Sequence, residues 1–352
     1  MEINQRGDYG RSAVTVSVII PVYNCVEYTP AALDSVFAQT FTDFEIILVN
    51  DGSPDTQILE YLISPYKDRI VYLKQTNRGP SAARNTGIRA ARGKYLAFLD
   101  GDDRWPSEYL AAQMSLFEQK PSLDLVYTDA VHFGDTRLPR KTFMQSLSPP
   151  MNFEDLLAAG SQIIPSATVV SKRVVIDAGL FDESLRGPED YDLCLRITYR
   201  GAQIGFQSRV LALRRVHSKS LTADDMRMLE GLERVLTKWD KSQRLSQKTR
   251  SLLLSRLASI RTYVYSEKGK RHLLSGNLDQ ARDYLLGAYT SLCQTNSQPT
   301  VRHRTNPVLL RTAKLRVLLW GLRTVPRLTV FGAQMWENFL WAAKFPHART
   351  NM

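Results

Sequence analysis

The sequence is poor in cysteine. Three residues in 352, Cys25, Cys194 and Cys293, stand far apart and odd in number. No CxxC or other metal-type spacing joins them, which argues against a disulfide-stapled scaffold and a cysteine zinc site. Reduced thiols in a cytoplasmic setting are expected. Long apolar runs are also missing. The longest uncharged stretches, 156–171 and 284–301, are broken by proline or polar, whereas a spanning helix needs about 18–20 apolar residues in succession. The polar opening MEINQRGDYGRS is not expected to be a secretory leader. With 43% apolar and 23% charged residues, the composition is that of a globular chain rather than a disordered or collagen-like one. The length suggests two or three domains of about 100–200 residues each.

The net charge of +11 conceals an asymmetry: residues 1–200 sum to −6 and residues 201–352 to +17. An acidic front and a basic rear imply separate tasks, the basic part facing an anionic membrane or nucleic acid.

The front third alternates between strand and helix patterns. Strands are predicted at 14–22 (VTVSVIIPV), 45–49 (EIILV), 70–74 and 95–99 (YLAFL), with helices at 28–39, 56–63 and 82–91. The nearly unbroken apolar strands are those of a sheet buried on both faces. The alternation implies parallel strands joined by right-handed crossovers. Further on, a helix is expected at 107–119, a strand at 125–133, a loop at 135–150, a strand at 166–171, a helix at 190–199 and a strand at 210–216. Beyond Asp224 the pattern turns helical, at 226–239, 252–274 and 278–292. The last pair resembles a tetratricopeptide-type hairpin, with Gly276, Ala281 and Ala288 as its small residues and no second copy.

Ligands of parallel sheets bind beyond the carboxyl ends of the strands, and four polar clusters fall there. They are Pro21-Val22-Tyr23-Asn24, Asn50-Asp51-Gly52-Ser53, residues 77–85 (NRGPSAARN) and Asp100-Gly101-Asp102-Asp103. Two carboxylates one residue apart on a tight turn can share a hard divalent cation, Mg²⁺ or Mn²⁺. A solvated acidic turn is the plainer alternative for that cluster. A further acidic cluster, PEDYDLCLR, opens the helix predicted at 190–199, where helix capping and dipole compensation also favour acids.

With these motifs in this order, the chain resembles a family 2 glycosyltransferase of the GT-A fold. The motifs are VSVIIPVYN, ILVNDGSPD, NRGPSAARNTGIRAARGKYLAFLDGDD, PEDYDLCLR and RRVHSKSLT, and the likeness covers residues 14–222. It implies an α/β domain with a mostly parallel central sheet; beyond residue 222, where the likeness is silent, periodicity and composition give a helical region at 223–296 and a basic, aromatic-rich segment at 297–352. It also implies an inverting, metal-dependent transfer from a nucleotide-sugar, foremost a UDP-sugar, to a hydroxyl of a glycan or lipid-linked acceptor, in bacterial surface polysaccharide biosynthesis. By resemblance, Pro21, Tyr23 and Asn24 line the nucleotide pocket and Asp51 bonds the base. Arg84 borders the nucleotide and diphosphate, and Asp100 faces the ribose and the metal. Asp102 is the main metal ligand, and His217 completes the metal site or touches the diphosphate. Asp190 is the base that deprotonates the acceptor hydroxyl, with Glu189 positioning it or the acceptor. Arg214, Arg215, Lys219 and Ser220 are candidates for the leaving-group contact. The family's processive members carry transmembrane helices and a QxxRW-type motif; neither is found, which favours single transfer.

Two rival classes make different demands of these residues. A non-catalytic binding module would be expected to have lost Asp100, Asp102 or Asp190. A sugar nucleotidyltransferase would need a Gly-rich basic loop where Pro21-Val22-Tyr23-Asn24 stands. Segment 306–345 mixes Arg311, Lys314, Arg316, Arg323 and Arg327 with Trp320, Trp336, Phe339 and Trp341. It reads either as peripheral contact with the inner face of the plasma membrane or as packing against protein. No nucleic-acid-binding motif is present.

Overall fold

The computed structural model describes residues 2–3, 14–134, 142–143, 151–160, 163–185, 187–217, 225–242 and 245–296. The basic segment 306–345, Lys219, Ser220 and most of the expected loop 135–150 lie outside them. The chain divides into two compact units, with the division after Gly231.

In the first unit, strands and helices follow in the order β1 (Glu2–Ile3), β2 (Val16–Val22), α1 (Thr29–Phe37), β3 (Phe44–Asn50), α2 (Thr56–Leu62), β4 (Val71–Lys74), α3 (Pro80–Ala90), β5 (Tyr95–Phe98), α4 (Tyr109–Gln119), β6 (Leu125–Gly134), β7 (Thr142–Phe143), α5 (Phe153–Ala159), β8 (Thr168–Ser171), α6 (Lys172–Asp177), α7 (Glu189–Tyr199) and β9 (Ile204–Val216). The nine strands form one sheet in the order β1-β4-β3-β2-β5-β8-β6-β7, with β9 also on β6. Strands β2 to β5 are mutually parallel, β8 runs against β5 and β6, and β9 is parallel to β6. The mostly parallel sheet therefore holds, with β1, β7 and β8 reversed.

The apolar runs explain the layering. Strand β2 is buried along nearly its whole length, because Ile20, Val18 and Val22 meet Leu33, Val36, Trp105 and Tyr109 in one core cluster. Gly87 of α3 lies close to β2, where a Cβ would stand 2.5 Å from Ile19 Cγ2. That contact lets the helix approach the sheet. The turn into α3 uses Gly79, at φ +91°, as N-cap and Pro80 at the first helical position.

Most predicted elements form within a residue or two of their expected ends. Strand β9 begins at Ile204 instead of 210, and α5 and α6 were not predicted. Helix α5 lies at the start of a stretch whose small residues and proline do not announce a period of 3.6, and α6 has only six residues. Thr142–Phe143 pairs with β6 inside the expected loop.

Helix α8 (Asp225–Ser242) leads into the second unit, which also holds α9 (Gln247–Leu274) and α10 (Leu278–Asn296). Gly276, at φ +81°, turns the chain between α9 and α10. Ala281 and Ala288 are fully buried beside Leu273, Leu285 and Leu292. Glu233 accepts from Arg261 Nε at 3.0 Å. Among the described residues, no helix is long and apolar enough to cross a membrane.

Gly231 on α8 abuts Pro188, the residue before α7: a Cβ there would lie 2.3 Å from Pro188 Cδ. Gly231→Val is expected to force that contact apart and cost about 1–3 kcal/mol, read as a lower thermal midpoint.

Candidate functional site

Because β4, β3, β2 and β5 lie side by side and parallel, the residues following them emerge along one edge of the sheet. Pro21, Tyr23 and Asn24 end β2 there. Tyr23 is 49% exposed, and Asn24 takes the left-handed conformation at φ +54°, which asparagine tolerates better than most residues.

Asp51 follows β3 and is almost fully buried. Its Oδ1 accepts from Gln75 Nε2 at 2.7 Å and from the Arg78 amide at 3.0 Å, and its Oδ2 accepts from the Gly79 amide at 2.8 Å. This carboxylate thus shapes the loop between β4 and α3.

Arg84, on the second turn of α3, is 3% exposed. Its Nη2 donates to Asp100 Oδ1 at 2.7 Å and its Nη1 to Glu189 Oε1 at 2.8 Å. Burial disfavours the charge, but the two carboxylates outweigh that and raise its affinity for the proton. Arg84, expected to border the nucleotide and diphosphate, thus has each terminal nitrogen bonded to one protein carboxylate.

Asp100 and Asp102 lie on the turn after β5. The Asp100 amide donates to Ser166 Oγ at 3.1 Å. Asp102 Oδ2 lies 2.8 Å from His217 Nε2, which follows β9. Burial, and next the charge of Asp100, push the Asp102 carboxyl above the usual range, while His217 opposes them. Among the described residues, no group of three or more His, Cys, Asp or Glu side chains forms a metal-holding cluster. Asp102 and His217 stand together, and Asp100 is held on Arg84. One carboxylate and one imidazole suit a divalent ion that takes its remaining oxygens from substrate phosphates. The donor set therefore fits such an ion in the presence of a diphosphate.

Glu189 and Asp190 open α7. Glu189 is buried against Arg84. Burial, then the neighbouring Glu189, push the Asp190 carboxyl up to about 7. Asp192 is fully buried and paired to Arg196 at 2.8 Å, so it anchors the helix.

Asp103, Ser166 and Gln75 join the site although the motifs assign them no role. Asp103 is 3% exposed; it accepts from the Ser166 hydroxyl at 2.6 Å and the Arg215 amide at 2.8 Å. The adjacent Asp102 masked it, and Ser166 is distant in sequence. Arg215 lies with its guanidinium 4.3 Å from the Tyr28 ring centre and 4.4 Å from that of Phe133.

The mostly parallel sheet with an acidic turn after β5 is a GT-A-like arrangement, and comparisons with known proteins agree. The family model "Glycosyl transferase family 2" matches residues 17–171. An uncharacterized glycosyltransferase of Rickettsia prowazekii is 32% identical over 226 residues, 62% of this chain and 69% of the relative. The amylovoran biosynthesis glycosyltransferase AmsB of Erwinia amylovora is 30% identical over 208 residues, 56% of this chain and 67% of the relative. The chain belongs to glycosyl transferase family 2 and is a glycosyltransferase. Among solved structures, S. aureus TarS 1–349 with UDP-GlcNAc superposes at a TM-score of 0.62, with 17% identity, over 92% of this chain and 91% of TarS 1–349. The mannosyltransferase PcManGT of Pyrobaculum calidifontis, with GDP-Man and Mn²⁺, superposes at 0.55, with 17% identity, over 94% of this chain and 90% of PcManGT. At these identities the likeness is one of fold.

The Asp190 carboxyl is held near 7 in the folded chain against an ordinary value of 3.8. The folded state therefore keeps a proton that the unfolded state releases, and this contribution to stability fades as pH rises from about 4 to about 7. Asp190→Asn is expected to raise the thermal midpoint more at pH 8 than at pH 5, read by calorimetry at both values.

Proposed function

We propose that this glycosyltransferase moves a sugar from a nucleoside diphosphate, foremost UDP, to a hydroxyl of a growing or lipid-linked glycan, with inversion at the anomeric carbon. The observation that carries the reading is the Arg84 bridge. It sets the helix start bearing Asp190 beside the strand end bearing Asp100 and Asp102. A base for the acceptor thereby adjoins carboxylates for the donor.

In this reading Pro21, Tyr23 and Asn24 border the nucleotide. Asp51 has about four acceptor positions and uses three on the loop, which leaves one for a base N–H. Asp100 faces the ribose. Asp102 and His217 would hold a Mn²⁺ or Mg²⁺ ion, which when bound would neutralise the diphosphate and favour its departure. Asp190 takes the acceptor proton as the hydroxyl oxygen attacks the anomeric carbon. Glu189, fixed by Arg84, holds the helix start that presents Asp190. A base near 7 is matched to neutral operation.

The neighbours support a nucleotide-sugar donor: TarS is described with UDP-GlcNAc, and PcManGT with GDP-Man and Mn²⁺. AmsB, an amylovoran biosynthesis enzyme, supports a polysaccharide acceptor.

The test is a thermal-shift screen with UDP, GDP and dTDP, each with Mn²⁺ or EDTA. A nucleotide at about 100 times its Kd should stabilise the fold by about 2.7 kcal/mol. That shift should require Mn²⁺ and vanish in Asp102→Ala. Asp190→Asn should keep the shift yet lose about 10²–10⁴-fold in transfer rate. Wild-type transfer should decline as pH falls below about 7. Folded protein that responds to none of the three nucleotides would overturn the donor reading.

A further inference from the structure

Asp103 is a buried carboxylate with no ion pair to Lys or Arg among the described residues; its oxygens are met by a hydroxyl and an amide. An acid kept from water at such cost is informative through what it joins, which here is three segments. Its Oδ2 accepts the Ser166 hydroxyl at 2.6 Å, and Ser166 Oγ in turn accepts the Asp100 amide at 3.1 Å. The Trp105 indole fixes Ser166 from behind, donating to its carbonyl at 2.6 Å. Asp103 Oδ1 accepts the Arg215 amide at 2.8 Å, and Arg215 Nε returns to the Asp102 carbonyl at 3.0 Å. Next to it, the Arg104 amide donates to the Leu213 carbonyl at 3.0 Å and the Leu213 amide to the Arg104 carbonyl at 2.9 Å. Two residues beyond Arg215, His217 Nε2 lies 2.8 Å from Asp102 Oδ2.

Beside the direct contact of His217 with Asp102, the turn is thus joined to the end of β9 through Asp103, Arg104 and Arg215. We propose that Asp103, acting through Ser166 and Arg215, is the positioning residue that sets the spacing of Asp102 and His217 and so the affinity of that pair for a divalent ion. The proposal rests on the metal reading given above. Outer partners that orient metal ligands typically contribute 10–100-fold in affinity. A merely structural acid would alter stability and leave ion affinity alone.

The test is titration of Mn²⁺, followed by the electron paramagnetic resonance of the free ion, on full-length protein with UDP, GDP or dTDP. The variants are Asp103→Asn, Ser166→Ala, Asp102→Asn and Glu45→Gln. Glu45 is another buried acid of the sheet, remote in sequence, bonded to Ser17 and Arg92. Asp102→Asn should abolish tight binding, and Asp103→Asn and Ser166→Ala should weaken it by about tenfold or more. Glu45→Gln should lower the thermal midpoint with Mn²⁺ affinity unchanged. If Asp103→Asn does not fold, Ser166→Ala carries the test, because it breaks the same chain while keeping the buried acid. Wild-type affinity in Ser166→Ala and in any folded Asp103→Asn, beside a weakened Asp102→Asn, would overturn the positioning role alone. An equal loss in Glu45→Gln would overturn it as well. No effect of Asp102→Asn, or no Mn²⁺ binding by wild type, would remove the metal reading and the positioning role with it.

Discussion

The Arg84 bridge is the constraint around which the site is arranged. A guanidinium withdrawn from water is costly unless carboxylates meet it with good geometry, and removing one partner of such a pair is far worse than never having built it. Here one planar fork satisfies two acids whose sequence positions are 89 residues apart, Asp100 and Glu189. Lysine, with a single ammonium, could not span them in the same way. The helix start that carries the proposed base is thereby tied to the strand end that carries the proposed donor carboxylates, and neither can shift without exposing a buried charge.

Much of what looks like chemistry in the motifs is loop construction. Asn50 donates to Thr56 and Tyr72 and accepts the Ser53 amide. Asn85 holds the backbone of Phe181 by both ends of its amide. Asp51 fastens the loop before α3, and Asp192 anchors α7. Exposed, conformationally specific loops at the edge of a parallel sheet leave backbone donors to be satisfied, and short polar side chains do this at least expense in chain order. The residues left over for substrate form the smaller set.

This division also explains how much was legible in the sequence. The front half of the sheet was readable because its strands are continuous apolar runs and each stops at a polar turn, so Val16–Val22 and Tyr95–Phe98 announce both the sheet and the edge where the candidate residues gather. The candidate residues were legible as well, since PEDYDLCLR and DGDD stand out against their surroundings. Their partners were not. Nothing local in the sequence tells that Arg84 will turn towards Glu189, or that Ser166 will lie between Asp103 and the Asp100 amide. Such pairings are set by how distant strands align. Helices α5 and α6 escaped notice for the opposite reason, being too short for their periodicity to stand above that of a loop.

The pairing of β9 with β6 also bears on where the chain can change length. Thr128 faces Gln207, Asp129 faces Val210 and Ala130 faces Ala212, so β9 bulges between its two halves. Side chains alternate across a strand, and the bulge sets which parity reaches the acidic turn: Arg215 and His217 meet Asp102 and Asp103, while Arg214 lies on the alternate set beside His132. Residues 208, 209 and 211 have no partner on β6, so loss of one of them would straighten β9 there while residues 212–216 keep their places on β6. The bulge is thus the place where β9 can take up a change of length without drawing Arg215 and His217 away from the acidic turn.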